Sequence, residues 1–582
     1  MVDPGRYTIQ AHLPCNTPKW TMTRTIIPAI LISLASSAHL SAQPVFAEAD
    51  SLRGTVGPYR AWWDVEHYDV TIRPDFNTKS IQGTTKITFT VVSEGQRMQI
   101  DLQQPLVVDS IVAELFEQWE SGGSFGKAHA GFTREGNVVW VDLPNPLRPG
   151  TRMSIWIHYH GQPREAVNPP WDGGWIWRTD EQGHPWMSVA CQGLGASVWY
   201  PCKDHQSDEP EGARLHIVVP DSLVGVGNGR FNSHTPNGDG TTTWHWHVSA
   251  PINTYNLVPY IGKYVRFAER IDGMDGPLDL AYWVLAHNES KAREQFKQVP
   301  VMMHCFEKWM GPYPFYADGY KLVEAPHLGM EHQSAVAYGN KYQNGYLGRD
   351  LSGTGHGLKW DYIIVHESGH EWFGNSITTA DIADMWVHEG FTQYTEVLMT
   401  ECLDGAQAAS EYAIGLRRNI RNDRPLIGPY GVNEAGSSDI YPKGANVVHT
   451  VRQIIGDSLF KRMLPDMCSR FRVQVVTSAD IEKFMDGHTS TDLRPFFDQY
   501  LRTTRVPVLE HGVRKRRLWF RWANAVPGFS IPVDVRIDGQ VVRVQPGTEW
   551  SQWPGGKVRR RAVVAADPDW YIQERSAIPP RP

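Results

Sequence analysis

The sequence is short of cysteine, with six in 582 residues and no CxxC pair, which excludes a disulfide scaffold. It has no excess of positive charge: 56 Lys and Arg against 63 Asp and Glu leave a net charge of −7. No overall field therefore draws nucleic acid. Internal repeats and low-complexity tracts are missing, and the bulk composition excludes disorder and a polytopic membrane protein. What is present is ordinary for a large globular chain, 41% hydrophobic and 20% charged. Its length exceeds one compact core, so three or four domains are expected. The 23 tryptophans and an aromatic content of 11% supply cores and aromatic-lined clefts.

Arg24 precedes an apolar run, Thr25-Ile-Ile-Pro-Ala-Ile-Leu-Ile-Ser-Leu-Ala-Ser-Ser-Ala38, that becomes rich in small residues. This order describes a secretory signal. A membrane anchor needs about 20 apolar residues, and Pro28 and Ser33 interrupt this run. Residues 1–47 are thus expected to be a signal cleaved after Ala42 or Ala47, with Met22 as a possible true start. The mature product is expected to be exported, periplasmic or secreted, without a stable membrane span. Export permits disulfides; Cys191 and Cys202 are the closest pair in sequence, yet buried free thiols are expected for all five mature cysteines.

Period-two patterning runs through residues 55–265. Ile87, Phe89 and Val91 alternate with Lys86, Thr88 and Thr90, and Met153, Ile155 and Ile157 with Ser154, Trp156 and His158. Such alternation predicts antiparallel strands in one large β domain. Beyond about residue 285 the period becomes helical, as in Leu493, Phe496, Phe497, Tyr500 and Leu501. A mostly helical block is assigned to 266–505. Val533, Val535 and Ile537 lead into Asp538-Gly539, and Val542 and Val544 follow, a hairpin signal. A small terminal β domain is assigned to 506–575. The basic runs Arg514-Lys-Arg-Arg517 and Arg559-Arg-Arg561 read as solvated strand edges protected by charge, with a binding patch as the alternative.

Residues 361–375 carry the chemistry: Asp-Tyr-Ile-Ile-Val-His-Glu-Ser-Gly-His-Glu-Trp-Phe-Gly-Asn. On a helix His366 and His370 lie one turn apart on one face, so both imidazoles reach a single ion. Glu367 projects to the side, where it can take a proton from water without ligating the metal. That division suits zinc hydrolysis. Glu389 lies nineteen positions after His370 and is the candidate third ligand. It falls in a predicted helix from Ala383 to Met399. Glu396, two turns beyond, faces the same way and is expected to support the ligands from behind. His388 points about 100° away from Glu389 and is read as structural.

Gly329-Met-Glu-His332, the segment His366 to Asn375, and Glu389 together resemble the zinc aminopeptidases that include aminopeptidase N and leukotriene hydrolase, which are gluzincin metallopeptidases. The resemblance covers nearly the whole mature chain. It implies a multidomain α+β fold: an N-terminal antiparallel saddle-like β domain, a thermolysin-like mostly helical catalytic domain and a small C-terminal β-sandwich. It implies one Zn²⁺ per chain and peptide substrates with a free N-terminus. Glu331 would accept the substrate's α-ammonium group, Gly329 would let the backbone come close, and Met330 sits between them. Tyr441, in Asp439-Ile-Tyr-Pro-Lys-Gly444, would hydrogen-bond the tetrahedral oxyanion, and Gln192 would reach the first substrate pocket from the β domain. Glu367 would be the general base.

The sequence departs from the family in four ways. Leu328 stands where the motif has glycine, His332 where it has asparagine, and Pro442 follows the tyrosine where glutamate is common. The chain also ends after the small β domain, so this reads as a short form with a more open cleft. The alternatives are a zinc endopeptidase and an inactive exported peptide-binding module. Epoxide hydrolysis would need a lipid channel that the missing helical domain helps form. No nucleic-acid partner is expected, and a monomer is favoured.

Overall fold

The computed structural model describes residues 46–119 and 122–580. Residues 1–45, and with them almost all of the expected export signal, lie outside that range.

Strands Trp63–Asp75 and Ser80–Val91 pair antiparallel from Trp63↔Val91 to Asp75↔Ser80, with one bulge between Val65 and His67. They sit inside an eight-stranded sheet and are followed along its width by Arg152–Gly161. The expected alternation places Ile87, Phe89, Val91, Met153, Ile155 and Ile157 in the core. Thr88 and Ser154, on the opposite face, are buried as well and meet hydroxyl to hydroxyl at 3.2 Å. That face is partly covered rather than open to water. A second sheet of four strands includes Gly174–Thr179 paired with Pro185–Ala190. Gln192 lies two residues past its end, which aims it at the helical block.

That block also contains a five-stranded sheet that the helical period does not announce. Tyr264–Gly273 and Gly276–Leu285 form a hairpin, Tyr320–Glu324 and Val336–Tyr338 add in parallel, and Gly329–Met330 closes the edge antiparallel. Three of its strands, Tyr320–Glu324, Gly329–Met330 and Val336–Tyr338, are buried throughout, and strands buried on both sides do not show alternation. The helix Trp386–Asp404 is the centre of the block: every residue from Trp386 to Thr400 is buried. A helix buried all round has no polar stripe to mark its start. The expected beginning at Ala383 is instead a 3₁₀ turn, Ile382–Asp384, capped by the Asp381 side chain on Ala383 N.

Cys305 and Cys402, 97 positions apart in sequence, form a disulfide with Cα atoms 6.1 Å apart. This corrects the expectation of five free thiols. The bridge joins the helices Gln298–Met310 and Trp386–Asp404, whose packing no local pattern predicts. Cys191, Cys202 and Cys468 are free and buried.

After the predicted stripe, which forms the helix Arg494–Leu501, the chain returns to strands. Val533–Ile537 and Gln540–Val544 pair around Asp538-Gly539, both with positive φ (48° and 92°), as the Asp-Gly pair requires. These strands belong to a three-stranded sheet beside a four-stranded one that contains Val508–Arg514 and Arg517–Ala523. Among the described residues no helix is long and apolar enough to cross a membrane.

Candidate metal centre and cleft

The first two candidate ligands depend on how their helix starts. Asp361 caps Tyr362–Gly369, its carboxylate accepting from the Ile363 and Ile364 amides. That carboxylate is fixed in turn by Asn340 Nδ2, Tyr338 OH and Gln295 Nε2. His366 and His370 then project from one face with ring centroids 5.0 Å apart. His366 is held between Tyr362 (5.1 Å, 13°) and Tyr441 (5.9 Å, 23°).

Glu389, from the first turn of the central helix, points at both rings. Its Oε2 is 3.3 Å from His370 Nε2 and 3.7 Å from His366 Nε2. Ligand atoms of the three residues lie within 4.8 Å of one another. The far nitrogens are already engaged: His366 Nδ1 with Glu396 Oε1 at 2.7 Å, and His370 Nδ1 with the Phe373 carbonyl at 2.9 Å. Each imidazole therefore turns Nε2 toward Glu389. Glu396 is itself gripped by Tyr412 OH at 2.7 Å and by Gln393. Burial works against a charged Glu389, but the two histidines outweigh it and hold this carboxylate well below its ordinary range.

The fit to a zinc ion can be judged from one atom. Glu389 Oε2 is buried and has no hydrogen-bond partner, a costly condition for a carboxylate oxygen. Two imidazole nitrogens and one orphaned anionic oxygen are the donor set that a tetrahedral zinc with an open position takes. The residues present fit that metal.

Beside the triad, Glu367 is buried and its carboxyl is pushed up to about 7 by desolvation, with Glu331 and Glu389 adding to the effect against His366 and His370. Gly329 lies against it. A Cβ there would stand 2.7 Å from Glu367 Oε1 and 2.9 Å from Ile363 Cγ2, so close approach, not a special φ, requires the glycine. Glu331 is buried, and burial pushes its carboxyl up. Its Oε1 accepts from Tyr255 OH at 2.9 Å and from Gln192 Nε2 at 2.5 Å, while its carbonyl accepts from Asn375 Nδ2 at 2.7 Å.

One cavity of about 440 Å³ is lined by Gln192, Gly329, Met330, Glu331, His366, Glu367, His370, Glu389 and Tyr441, so the structure gathers nine of the ten sequence-predicted residues on one surface. Glu396, the tenth, stands behind His366. His388 turns away and accepts from the Thr379 amide at 2.9 Å. Three departures from the motif also find places. Leu328 lines the cavity. His332 bonds Tyr260 OH through Nδ1, while the Glu331 carboxylate is held by Tyr255 and Gln192 instead. Pro442 opens the helix Pro442–Ile455 at its first position, where a missing N–H costs nothing.

Sequence reading missed Tyr255, which no local pattern marks. It also missed Trp171, 65% exposed on the cavity rim, inside a segment that reads only as a turn.

Two imidazoles, a conjugate carboxylate from a second helix and a free buried carboxylate define a metallohydrolase-type centre. A family model for the peptidase family M1 domain matches residues 297–500, and one for the peptidase M1 N-terminal domain matches residues 64–256. The chain belongs to peptidase family M1. Human aminopeptidase B is 24% identical over 378 residues, 61% of this chain and 53% of that protein. Leukotriene A-4 hydrolase of Xenopus laevis is 20% identical over 447 residues, 73% of this chain and 68% of that protein. The chain thus spans about half the length of aminopeptidase B. An M1 zinc metallopeptidase of Deinococcus radiodurans, solved as a point mutant bound to a Tyr-Ser-Ala substrate, superposes with a TM-score of 0.62 at 22% identity. That match covers 77% of this chain and 96% of the other. It supports the two-domain architecture, a β-rich N-terminal domain followed by a helical catalytic domain.

Proposed function

We propose that this chain is a zinc-dependent aminopeptidase that removes the first residue of peptides. The observation that carries the reading is an imbalance of charge. Glu331, Glu367 and Glu389 are buried around one cavity, and polar atoms of Glu331, Glu367 and His370 lie within 4.8 Å of one another. Carboxylates so placed call for cations. A divalent metal on the triad and the ammonium group of a peptide N-terminus supply them.

One Zn²⁺ would be held by His366, His370 and Glu389, and when bound it supplies Lewis-acid polarisation of the scissile carbonyl and of a water. Glu367, poised near neutral pH, takes the proton of the attacking water and passes it to the departing amine. Tyr441 stays a phenol, because burial and then Glu389 hold its pKa well above the ordinary value, and it donates to the oxyanion as charge develops. Glu331, steadied by Gln192 and Tyr255, anchors the ammonium group and so sets the cut one residue from the end. The tripeptide bound by the Deinococcus radiodurans protein is consistent with a substrate of this kind.

The finer architecture belongs to the same reading. The N-terminal strands form the saddle, the two small sheets after residue 506 form a β-sandwich, residues 1–47 direct export, and the chain works as a monomer. Fluorogenic aminoacyl amides, offered free and N-acetylated with and without chelator, test the activity. Free amides should be hydrolysed and chelator should stop the reaction. Equal turnover of acetylated substrates would assign an endopeptidase instead.

A further inference from the structure

The two basic runs have no part in the chemistry above, yet the fold makes them neighbours. Arg514-Lys-Arg-Arg517 forms the tip of the hairpin Val508–Arg514/Arg517–Ala523. The Val558 amide donates to the Arg516 carbonyl at 2.9 Å, and Arg516 Nε donates back to the Val558 carbonyl at 3.4 Å. This double tie brings Arg559-Arg-Arg561 alongside. A groove of about 540 Å³ lies between the runs, with Arg514, Arg560 and Arg561 converging over Val513, Ile578 and Pro579.

These cations are not neutralised. Other arginines of the same module are paired, Arg521 and Arg575 with Glu510 and Arg543 with Asp534. Among the described residues no carboxylate lies within ion-pair distance of either run or of the exposed Lys557. The adjacent acids are occupied elsewhere, Asp538 by the Val563 amide and Glu574 by the Ala566 amide. In a chain of net charge −7 this is a local inversion of sign. Protecting a strand edge needs a charge or two, and two converging runs exceed that.

The apolar neighbours decide which polyanion fits. Ile578, which lines the groove, is 94% exposed, and Val563, two residues past Arg561, is 69% exposed. The most exposed large apolar residues in this module are aliphatic, its Trp519, Trp550 and Trp553 being half-buried, which favours an aliphatic environment over base stacking. Cations flanked by exposed aliphatic side chains suit a bilayer surface, where guanidinium groups meet phosphates and aliphatic groups enter the upper acyl region. We infer that this face of the C-terminal module docks on anionic phospholipid surfaces. It does so independently of the cleft.

Flotation of the purified chain with phosphatidylglycerol-containing vesicles, against vesicles of phosphatidylcholine alone, tests this. Binding should require the anionic lipid and be lost at about 0.5 M salt. Arg559→Glu/Arg560→Glu/Arg561→Glu should weaken it roughly a hundredfold, with zinc content and far-ultraviolet circular dichroism unchanged. Should that variant fail to fold, the Gln triple variant should still weaken binding at least tenfold. Val563→Ser/Ile578→Ser should leave salt sensitivity intact and weaken binding severalfold. Absence of binding to anionic vesicles, equal flotation of the charge-reversed variant, or tight binding of single-stranded DNA without vesicle binding would each overturn the assignment.

Discussion

The two walls of the cleft are assembled on different scales. The metal wall uses residues 366–389 from two helices that follow one another in the chain, and its outer support, Glu396, is only 30 residues from His366. The anchoring wall brings Gln192 to Glu331 across 139 residues and Tyr255 across 76. One wall is a local motif given rigidity by burial. The other exists only where the β domain meets the catalytic block. On the proposed reading, metal binding is thus insulated from the junction, while recognition of the substrate's end depends on it.

The strongest way to break this comparison is Glu367→Gln. Loss of the base should lower kcat by roughly 10²- to 10⁴-fold with zinc content intact by metal analysis; residual activity near wild type would remove Glu367 from its role. Next, Glu396→Gln should cost about 10- to 100-fold in zinc affinity, measured by chelator competition, and leave peptide KM little changed once zinc saturates. Were KM to move instead, the two walls would not be separable.

Glu331→Ala acts on the other wall. It should raise KM for free peptides by roughly 10- to 100-fold, the worth of a charge-assisted contact, while leaving zinc affinity alone. Tyr255→Phe removes one neutral donor to the same carboxylate and should cost about fivefold in KM. A null result for Tyr255 would leave Gln192 as the β domain's contribution to anchoring.

The smallest effect sharpens the account of the junction itself. Glu209, next to Thr378, has a buried Oε1 without a partner, and desolvation pushes its carboxyl up to about 7 from an ordinary 4.5. A carboxyl raised in the folded state penalises folding only where it ionises. The penalty therefore grows as pH rises through 4.5 and is complete above about 7. Glu209→Gln should raise stability at pH 8 by about 1–3 kcal/mol and leave it unchanged at pH 4, as denaturant unfolding at the two pH values would show. A gain that is equal at both would assign the effect to packing.

These contrasts track what was legible beforehand. His366, Glu367, His370 and Glu389 announce themselves because helical geometry converts fixed spacing into shared direction. The half-buried strands are equally plain, since their alternation is a local consequence of the pleat. Tyr255, Trp171 and the Cys305–Cys402 bridge had no such signal. Neither did the strands Tyr320–Glu324, Gly329–Met330 and Val336–Tyr338 of the five-stranded sheet, which are buried throughout and so lose their alternation.

The amino-acid order by itself therefore pointed to the candidate metal ligands and base and to the amphipathic strands and helices, because both follow from periodicities a few residues long. Only the tertiary structure decided that Glu389 Oε2 is left without a partner, that Glu331 is gripped from the β domain, and that two distant arginine runs share one groove. Those facts depend on which surfaces exclude water from one another, and that is settled by the packing of segments from about 20 to 139 residues apart.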